Sequence, residues 1–301
     1  MKGIILAGGA GTRLYPLTIV TSKQLLPVYN KPMIYYPLST LMLAKIREIL
    51  IISTPEDTPR IKNLLGDGSM FGLTLEYAVQ EKPEGLAQAF TIGRDFIGDD
   101  TCAMVLGDNI FYGNGLSAKL GAAKRSAEAG NATVFGYYVE DPQRFGIMEL
   151  EKGKEDDDDN HRVLSVEEKP AKPKSNYAIV GLYFYPRGVS DMAAKVTPSA
   201  RGELEITTLN DMYLKADRLH AQLLGRGYTW MDAGTVDSLR KATNFVCMIE
   251  QYQGMSISAP EEIAYRYHWI DAEKLKESVR RYGKSPYGEH LKAVLEDRII
   301  I

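Results

Sequence analysis

An apolar run from Lys2 to Ala7 stops at Gly8, Gly9 and Gly11. A short apolar stretch closed by glycines reads as a buried strand feeding a loop. Further runs repeat the pattern: Ile49–Ser53, Leu73–Gln80, Ala103–Leu106 and Thr133–Val139. Helical patterns at about 34–44, 58–65, 86–96 and 116–129 separate them. Continuous apolar strands alternating with amphipathic helices predict an α/β fold, a mostly parallel Rossmann-like sheet with helices on both faces. The crossovers should be right-handed. Pro37 inside the first helical pattern predicts a kink or a late start.

After Glu140 the pattern becomes β-rich. Strands are expected at 145–151, 163–168 and 177–185, as an inserted part lying over one side of the sheet. A helix at about 204–216 and a strand at about 220–224 restore α/β character, and from Val236 the pattern is helical almost to the end. The expected organisation is therefore one domain, 1–301, with parts at about 1–140, 141–235 and 236–301.

The 301 residues are 45% hydrophobic and 25% charged, which excludes disordered and fibrous classes. A net charge of −3 argues against a protein that coats nucleic acid. Neither Cys102 nor Cys247 belongs to a C-x-x-C pair, so two buried, reduced thiols are expected rather than a zinc site or a disulfide framework. The first apolar run is too short for a signal peptide, and none approaches the ~20 residues of a membrane span, so a soluble cytoplasmic protein is expected.

The glycine segment LAGGAGTRLYPLT, with Ser22-Lys23-Gln24 behind it, carries the first chemistry. Glycines after a strand offer bare backbone N–H groups to a phosphate chain, and Arg13 and Lys23 add positive charge. It is not a Walker A loop, because Thr12-Arg13 follows Gly11 where Gly-Lys-Ser/Thr is required. A dinucleotide-binding oxidoreductase fails too: Leu14 occupies the third glycine position, and the second strand ends in Ser53-Thr54-Pro55 rather than an acid. Asp108 follows a buried strand, where open α/β sheets bind ligands, and Asp232 follows a second apolar stretch. Singly, each reads as a turn former or helix cap. Together, facing a phosphate loop, they suit Mg²⁺, which takes one or two protein oxygens beside phosphates and water. Glu155–Asp159, EDDDD, reads as a solvated hairpin tip rather than a metal site. His161, His220, His268 and His290 have no partners by pattern.

GIILAGGAGTRLYPLT, EGLAQAF, VLGDNIFYG, EEKPAKPKSNYA, SARGELEIT and GRGYTWMDAGT run in order along nearly the whole chain. In them the sequence resembles the sugar-phosphate nucleotidyltransferase family, and within it the short bacterial glucose-1-phosphate thymidylyltransferases (dTDP-glucose pyrophosphorylases). The resemblance implies transfer of a thymidylyl group from dTTP to α-D-glucose 1-phosphate, giving dTDP-glucose and pyrophosphate, the first step of dTDP-L-rhamnose and related polysaccharide biosynthesis. It implies that Leu6, Gly8, Gly9, Gly11, Thr12, Arg13, Lys23 and Asp108 hold the nucleotide, Gln24 and Gln80 read the thymine edge, and Gly85 lies against the nucleoside. Gly146, Glu168, Lys169, Ile179, Tyr183 and Arg201 would form the sugar-phosphate site. Asp108 and Asp232 would bind Mg²⁺, and Arg13, Lys23, Lys169, Asp108 and Asp232 would carry catalysis. The 1–140 part is then the nucleotide-binding part and 141–235 the sugar-phosphate part. A cytoplasmic homotetramer with an interface site for a dTDP-sugar inhibitor is also implied.

Departures from the family pattern are Phe145 for Tyr, Ile179-Val180 for Val-Thr, Ala233 for Thr, and the EDDDD insertion. They bear on sugar stringency. Uracil shows the same hydrogen-bonding edge as thymine, so a UTP-preferring uridylyltransferase is the nearest alternative. A non-catalytic subunit that binds nucleotide sugar is the second.

Overall fold

The computed structural model describes residues 1–9, 11–151 and 161–299, so the EDDDD segment lies outside the described residues. The strands are β1 (Lys2–Ala7), β2 (Pro27–Val28), β3 (Lys31–Pro32), β4 (Glu48–Ser53), β5 (Thr74–Val79), β6 (Cys102–Leu106), β7 (Asn109–Gly113), β8 (Ala132–Tyr138), β9 (Gly146–Leu150), β10 (His161–Glu168), β11 (Tyr177–Tyr185), β12 (Leu219–Leu223) and β13 (Tyr228–Asp232). The helices are α1 (Tyr35–Leu43), α2 (Thr58–Leu65), α3 (Gln88–Ile92), α4 (Arg94–Ile97), α5 (Leu116–Glu128), α6 (Val189–Ala193), α7 (Ile206–Lys215), α8 (Val236–Gln253), α9 (Pro260–Arg266), α10 (Ala272–Tyr282) and α11 (Pro286–Leu295).

Among the described residues nine strands form one sheet, ordered β5-β4-β1-β6-β11-β8-β12-β10-β9. β5, β4, β1 and β6 are mutually parallel, as are β8 and β12. β11 runs antiparallel between β6 and β8. The apolar runs are continuous because both faces are covered. On one face Ile5, Ile51 and Val105 meet α1, α5 and the C-terminal helices. On the other, Ile4, Ile52 and Met104 meet Phe90 of α3 and Leu209 of α7. This is the α/β sheet expected from the periodicity, with two strands, β11 and β10, reversed.

Three expectations need correction. The β-rich region does not lie over the sheet; β11 enters its middle and β9 and β10 form its edge. β11 is buried along almost its whole length, so its backbone groups need partners on both sides. The helix expected over 86–96 splits into α3 and α4 at Gly93, where a Cβ would meet Ala89 O at 3.1 Å and the Ile4 and Leu50 side chains at 3.2 Å. Two histidines have partners that pattern did not reveal: His290 Nε2 lies 2.7 Å from Glu262, and His220 Nδ1 lies 3.2 Å from Ser126 Oγ. Pro37 falls in the first turn of α1, where its missing N–H leaves no helical bond unmade, so the helix starts late and does not kink there.

Cys102 is buried but Cys247 only half-buried, and both are free thiols. No helix among the described residues is long and apolar enough to cross a membrane.

Candidate active site

Leu6 pairs with Leu106, so β1 and β6 release the glycine loop and Asp108 at the same carboxyl edge of the sheet. Their ends open on a crevice of about 390 Å³. Gly9 and Gly11 take left-handed φ values of 95° and 61°, which only glycine adopts without strain. Gly8 answers a different need: a Cβ there would sit 2.2 Å from Gln80 Oε1. Gln80 is brought in by its own N–H, which donates to Ser53 O at 2.7 Å, while Ser53 Oγ donates to Ala7 O at 3.0 Å.

Lys23 sits in a single 3₁₀ turn, 23–25, capped by Ser22 Oγ, which accepts from the Gln24 N–H at 3.3 Å. From there its ammonium pairs with Asp108 Oδ2, while Asn109 Nδ2 donates to Asp108 Oδ1 at 3.0 Å. Burial alone would raise the Asp108 carboxyl; the Lys23 ammonium outweighs it and holds the group below the usual carboxylate range.

The second acid arrives through an element that periodicity did not reveal. β7 and β13 form a two-stranded antiparallel ribbon in which Asn109 pairs with Asp232. The Ala233 N–H donates to Asp108 O at 2.9 Å. Asp232 therefore stands beside Asp108, with Oδ1 accepting the Gly234 N–H at 2.9 Å. A Cβ on Gly234 would lie 2.8 Å from both Arg13 Nη2 and Asp232 Oδ1, so glycine there leaves room for both side chains. Burial, and then the Asp108 charge, push Asp232 above its ordinary value; Lys23, the Gly234 N–H and Arg13 offset this only in part. Two cations, two acids and a glycine loop thus converge on one crevice.

That combination agrees with what the chain resembles. Residues 2–248 match the model of the nucleotidyl transferase family. Glucose-1-phosphate thymidylyltransferases from Neisseria meningitidis serogroup A and Xanthomonas campestris pv. campestris are 53% and 55% identical over 98% and 97% of this chain, and 100% and 96% of their own. The chain belongs to the nucleotidyl transferase family, among its glucose-1-phosphate thymidylyltransferases. A Bacillus anthracis structure titled as such an enzyme, with sucrose, superposes with TM-score 0.71 at 40% identity, covering 81% of this chain and 94% of that one. A UDP-glucose pyrophosphorylase holding UDP-glucose shares the fold with TM-score 0.72 at 21% identity over 82% of this chain and 98% of its own. The protein is thus a nucleotidyltransferase, and enzymes of this kind generally use a divalent metal.

This transferase's crevice is also lined by Phe145, Gly146, Glu168, Lys169, Ile179 and Tyr183, together with Arg144, Glu203, Glu205, Thr207 and Trp230. Lys169 has φ 42° and its N–H donates to Phe145 O at 3.0 Å, so a strained backbone turns it at the end of β10. Thr207 Oγ1 donates to Glu168 Oε2 at 2.5 Å. The Phe145 ring meets Trp230 edge-on at 5.4 Å, so the position that departs from the family pattern packs on an aromatic wall.

Of the residues expected at the site, Leu6, Gly8, Gly9, Arg13, Lys23, Gln80, Gly85, Asp108 and Asp232 also line the crevice. Gly11, Thr12, Gln24 and Arg201 do not line the crevice. The Gly11 carbonyl accepts from Thr18 Oγ1 at 2.8 Å. Gln24 is buried, with Ser22 Oγ donating to its Oε1 at 2.5 Å. Arg201 is drawn into ion pairs with Glu203 at 3.0 Å and with Glu168 and Glu205 at 3.4 Å. Sequence reasoning assigned no role to Asn109, Trp230 or Thr207. Trp230 and Asp232 are two apart on β13 and therefore share a face, a signal that becomes usable once 228–232 is known to be a strand. Among the described residues no cluster of three or more His, Cys, Asp or Glu could hold a metal, so an ion here would have two protein carboxylates and need further oxygens from elsewhere.

Proposed function

We propose that the chain transfers a thymidylyl group from dTTP to α-D-glucose 1-phosphate, releasing pyrophosphate and forming dTDP-glucose. The observation that carries this reading is the shared crevice: Arg13, Lys23, Gly8 and Gly9, Asp108 and Asp232, and Lys169 all line it. The glycine loop and its neighbours receive the nucleotide, and the residues around Lys169 the sugar phosphate, so the parts at about 1–140 and 141–235 divide the two substrates, with 236–301 as a helical buttress.

A phosphate monoester has its second pKa near 6, so the attacking oxygen is already ionised at neutral pH and no general base is required. The difficulty is the approach of two polyanions, which positioning and fixed charge overcome. Lys169 holds the sugar phosphate in line with the α-phosphorus. The glycine N–H groups and Lys23 hold the triphosphate, and Arg13 stabilises charge gathering on the leaving pyrophosphate. The hard carboxylate oxygens of Asp108 and Asp232 fit Mg²⁺, and the raised Asp232 marks a place where a cation relieves repulsion. Mg²⁺ held by Asp108 and Asp232 would supply charge neutralisation for the phosphates.

The resemblance further supports a cytoplasmic homotetramer with an interface site for a dTDP-sugar inhibitor, feeding dTDP-L-rhamnose synthesis. In keeping with subunit contacts, α8 leaves Val236, Met248 and Tyr252 exposed.

The test is pyrophosphate release with Mg²⁺ across nucleoside triphosphates and hexose 1-phosphates. The highest kcat/KM should be with dTTP and glucose 1-phosphate. Preference for UTP would make the chain a uridylyltransferase, and no release with retained nucleotide-sugar binding would make it a regulatory subunit.

A further inference from the structure

The amide of Gln80 is held from behind. Its Nε2 donates to Gln88 Oε1 at 2.6 Å, and its Oε1 lies against Gly8 at the crevice wall. Gln88 itself does not line the crevice; it opens α3 and accepts the Glu84 N–H at 3.2 Å on the same oxygen. Its Nε2 donates to the Glu84 carboxylate at 2.8 Å.

This chain of contacts has a direction. An amide can be turned end for end with little change of shape, so which end is oxygen must come from its partners. An ionised carboxylate only accepts. Glu84 therefore demands the nitrogen of Gln88, which leaves the Gln88 oxygen for Gln80 and requires the nitrogen of Gln80 to face it. The Gln80 oxygen is then committed to the side where it meets Gly8.

We propose that Gln88, oriented by Glu84, is a positioning residue that fixes the polarity of the Gln80 amide and so selects an imide pyrimidine over cytosine. The proposal rests on the reading above in which Gln80 meets the base. Thymine and uracil offer a donor at N3 beside an acceptor at O4, which an amide edge of one polarity matches. Cytosine offers the reverse order, an acceptor at N3 beside a donor at N4, which matches only the turned amide. Holding Gln80 thus excludes cytosine without touching it, and has no bearing on the thymine methyl.

The experiment compares kcat/KM for dTTP, UTP and dCTP in the parent enzyme, Gln88→Leu, Glu84→Ala and the pair Glu84→Gln with Gln88→Glu. Gln88→Leu should lower the dTTP to dCTP ratio by roughly tenfold or more, the scale of one buried hydrogen-bond mismatch, while the dTTP to UTP ratio stays put. Glu84→Ala, at an exposed position, removes the carboxylate but keeps the backbone N–H that donates to the Gln88 oxygen, so it should shift the ratio in the same direction by a smaller factor, even if Gln88→Leu does not fold. The paired exchange restores an acceptor facing Gln80 and should keep the parent ratio. Equal losses with all three nucleotides would overturn the proposal. A parent enzyme inactive with dTTP and UTP would instead remove the underlying reading, as would a Gln80→Leu variant that keeps the parent preference for dTTP over dCTP.

Discussion

In the C-terminal helices the buried Glu262 carboxylate lies 2.7 Å from His290 Nε2 and 2.8 Å from Arg266 Nε, whereas in the crevice Asp232 shares its space with a second acid. Burial acts to raise both carboxyls. Around Glu262, His290 and Arg266 win and hold it below its ordinary range; around Asp232, Asp108 adds to burial and the group stays above it. Lys31 and Glu250, both buried, repeat the closed arrangement: their atoms lie 2.9 Å apart, with Asn30 Nδ2 and the Ile257 N–H also donating to Glu250 at 2.8 and 3.0 Å. Glu262 and Glu250 thus have their charges completed within the helical region, while the neighbouring buried Glu261, which accepts from the Tyr282 and Tyr287 hydroxyls, is held above its ordinary range by burial. The crevice leaves negative charge for a ligand to complete, which is how a binding site differs from a structural ion pair of similar burial.

The contrast makes its largest prediction at Lys31. Lys31→Met leaves Glu250 buried without its cation and should lower unfolding free energy by about 3–5 kcal/mol in denaturant titrations, with kcat/KM unchanged in the folded enzyme. A parallel loss of kcat would mean that the helical region is not merely structural. In the crevice the signs reverse. Arg13→Ala should raise the barrier by about 2.7–4 kcal/mol, a hundred- to a thousandfold in kcat, with smaller changes in KM and no loss of melting temperature. Near-parental turnover would remove Arg13 from the reaction.

Asp232→Asn sharpens the comparison. It should weaken activation by Mg²⁺ by roughly tenfold or more, the scale of a lost metal-site partner, and should raise stability without metal by relieving repulsion. Unchanged metal dependence would place the ion elsewhere. The smallest effect concerns acid. The folded Glu262 titrates below its ordinary value of about 4.3, so its stabilisation is present above that value and fades as pH falls through the lower folded one. Glu262→Gln should therefore flatten the fall of melting temperature below about pH 4, whereas Asp232, shifted upward, opposes folding as pH rises through its range.

Much of this was legible locally. Unbroken apolar runs marked β1, β4, β6 and β8, and the glycines with Arg13 and Lys23 marked one wall of the crevice. What escaped were features whose cause lies far along the chain. β7 and β13 each look unremarkable alone, and 86–96 reads as one helix although α3 ends at Ile92 and α4 begins at Arg94. Gln24 and Gln80 carry equivalent amides, yet only Gln80 lines the crevice.

By itself the sequence determined the α/β class, the glycine loop and the presence of acids after apolar stretches, because periodicity, glycine backbone freedom and residue charge are local properties. Only the tertiary structure decided that Asp108 and Asp232 meet, that β11 runs backwards through the sheet, and which way the Gln80 amide faces. Each depends on the register or partner of a distant segment, and those are chosen by burial and hydrogen-bond satisfaction across the whole fold.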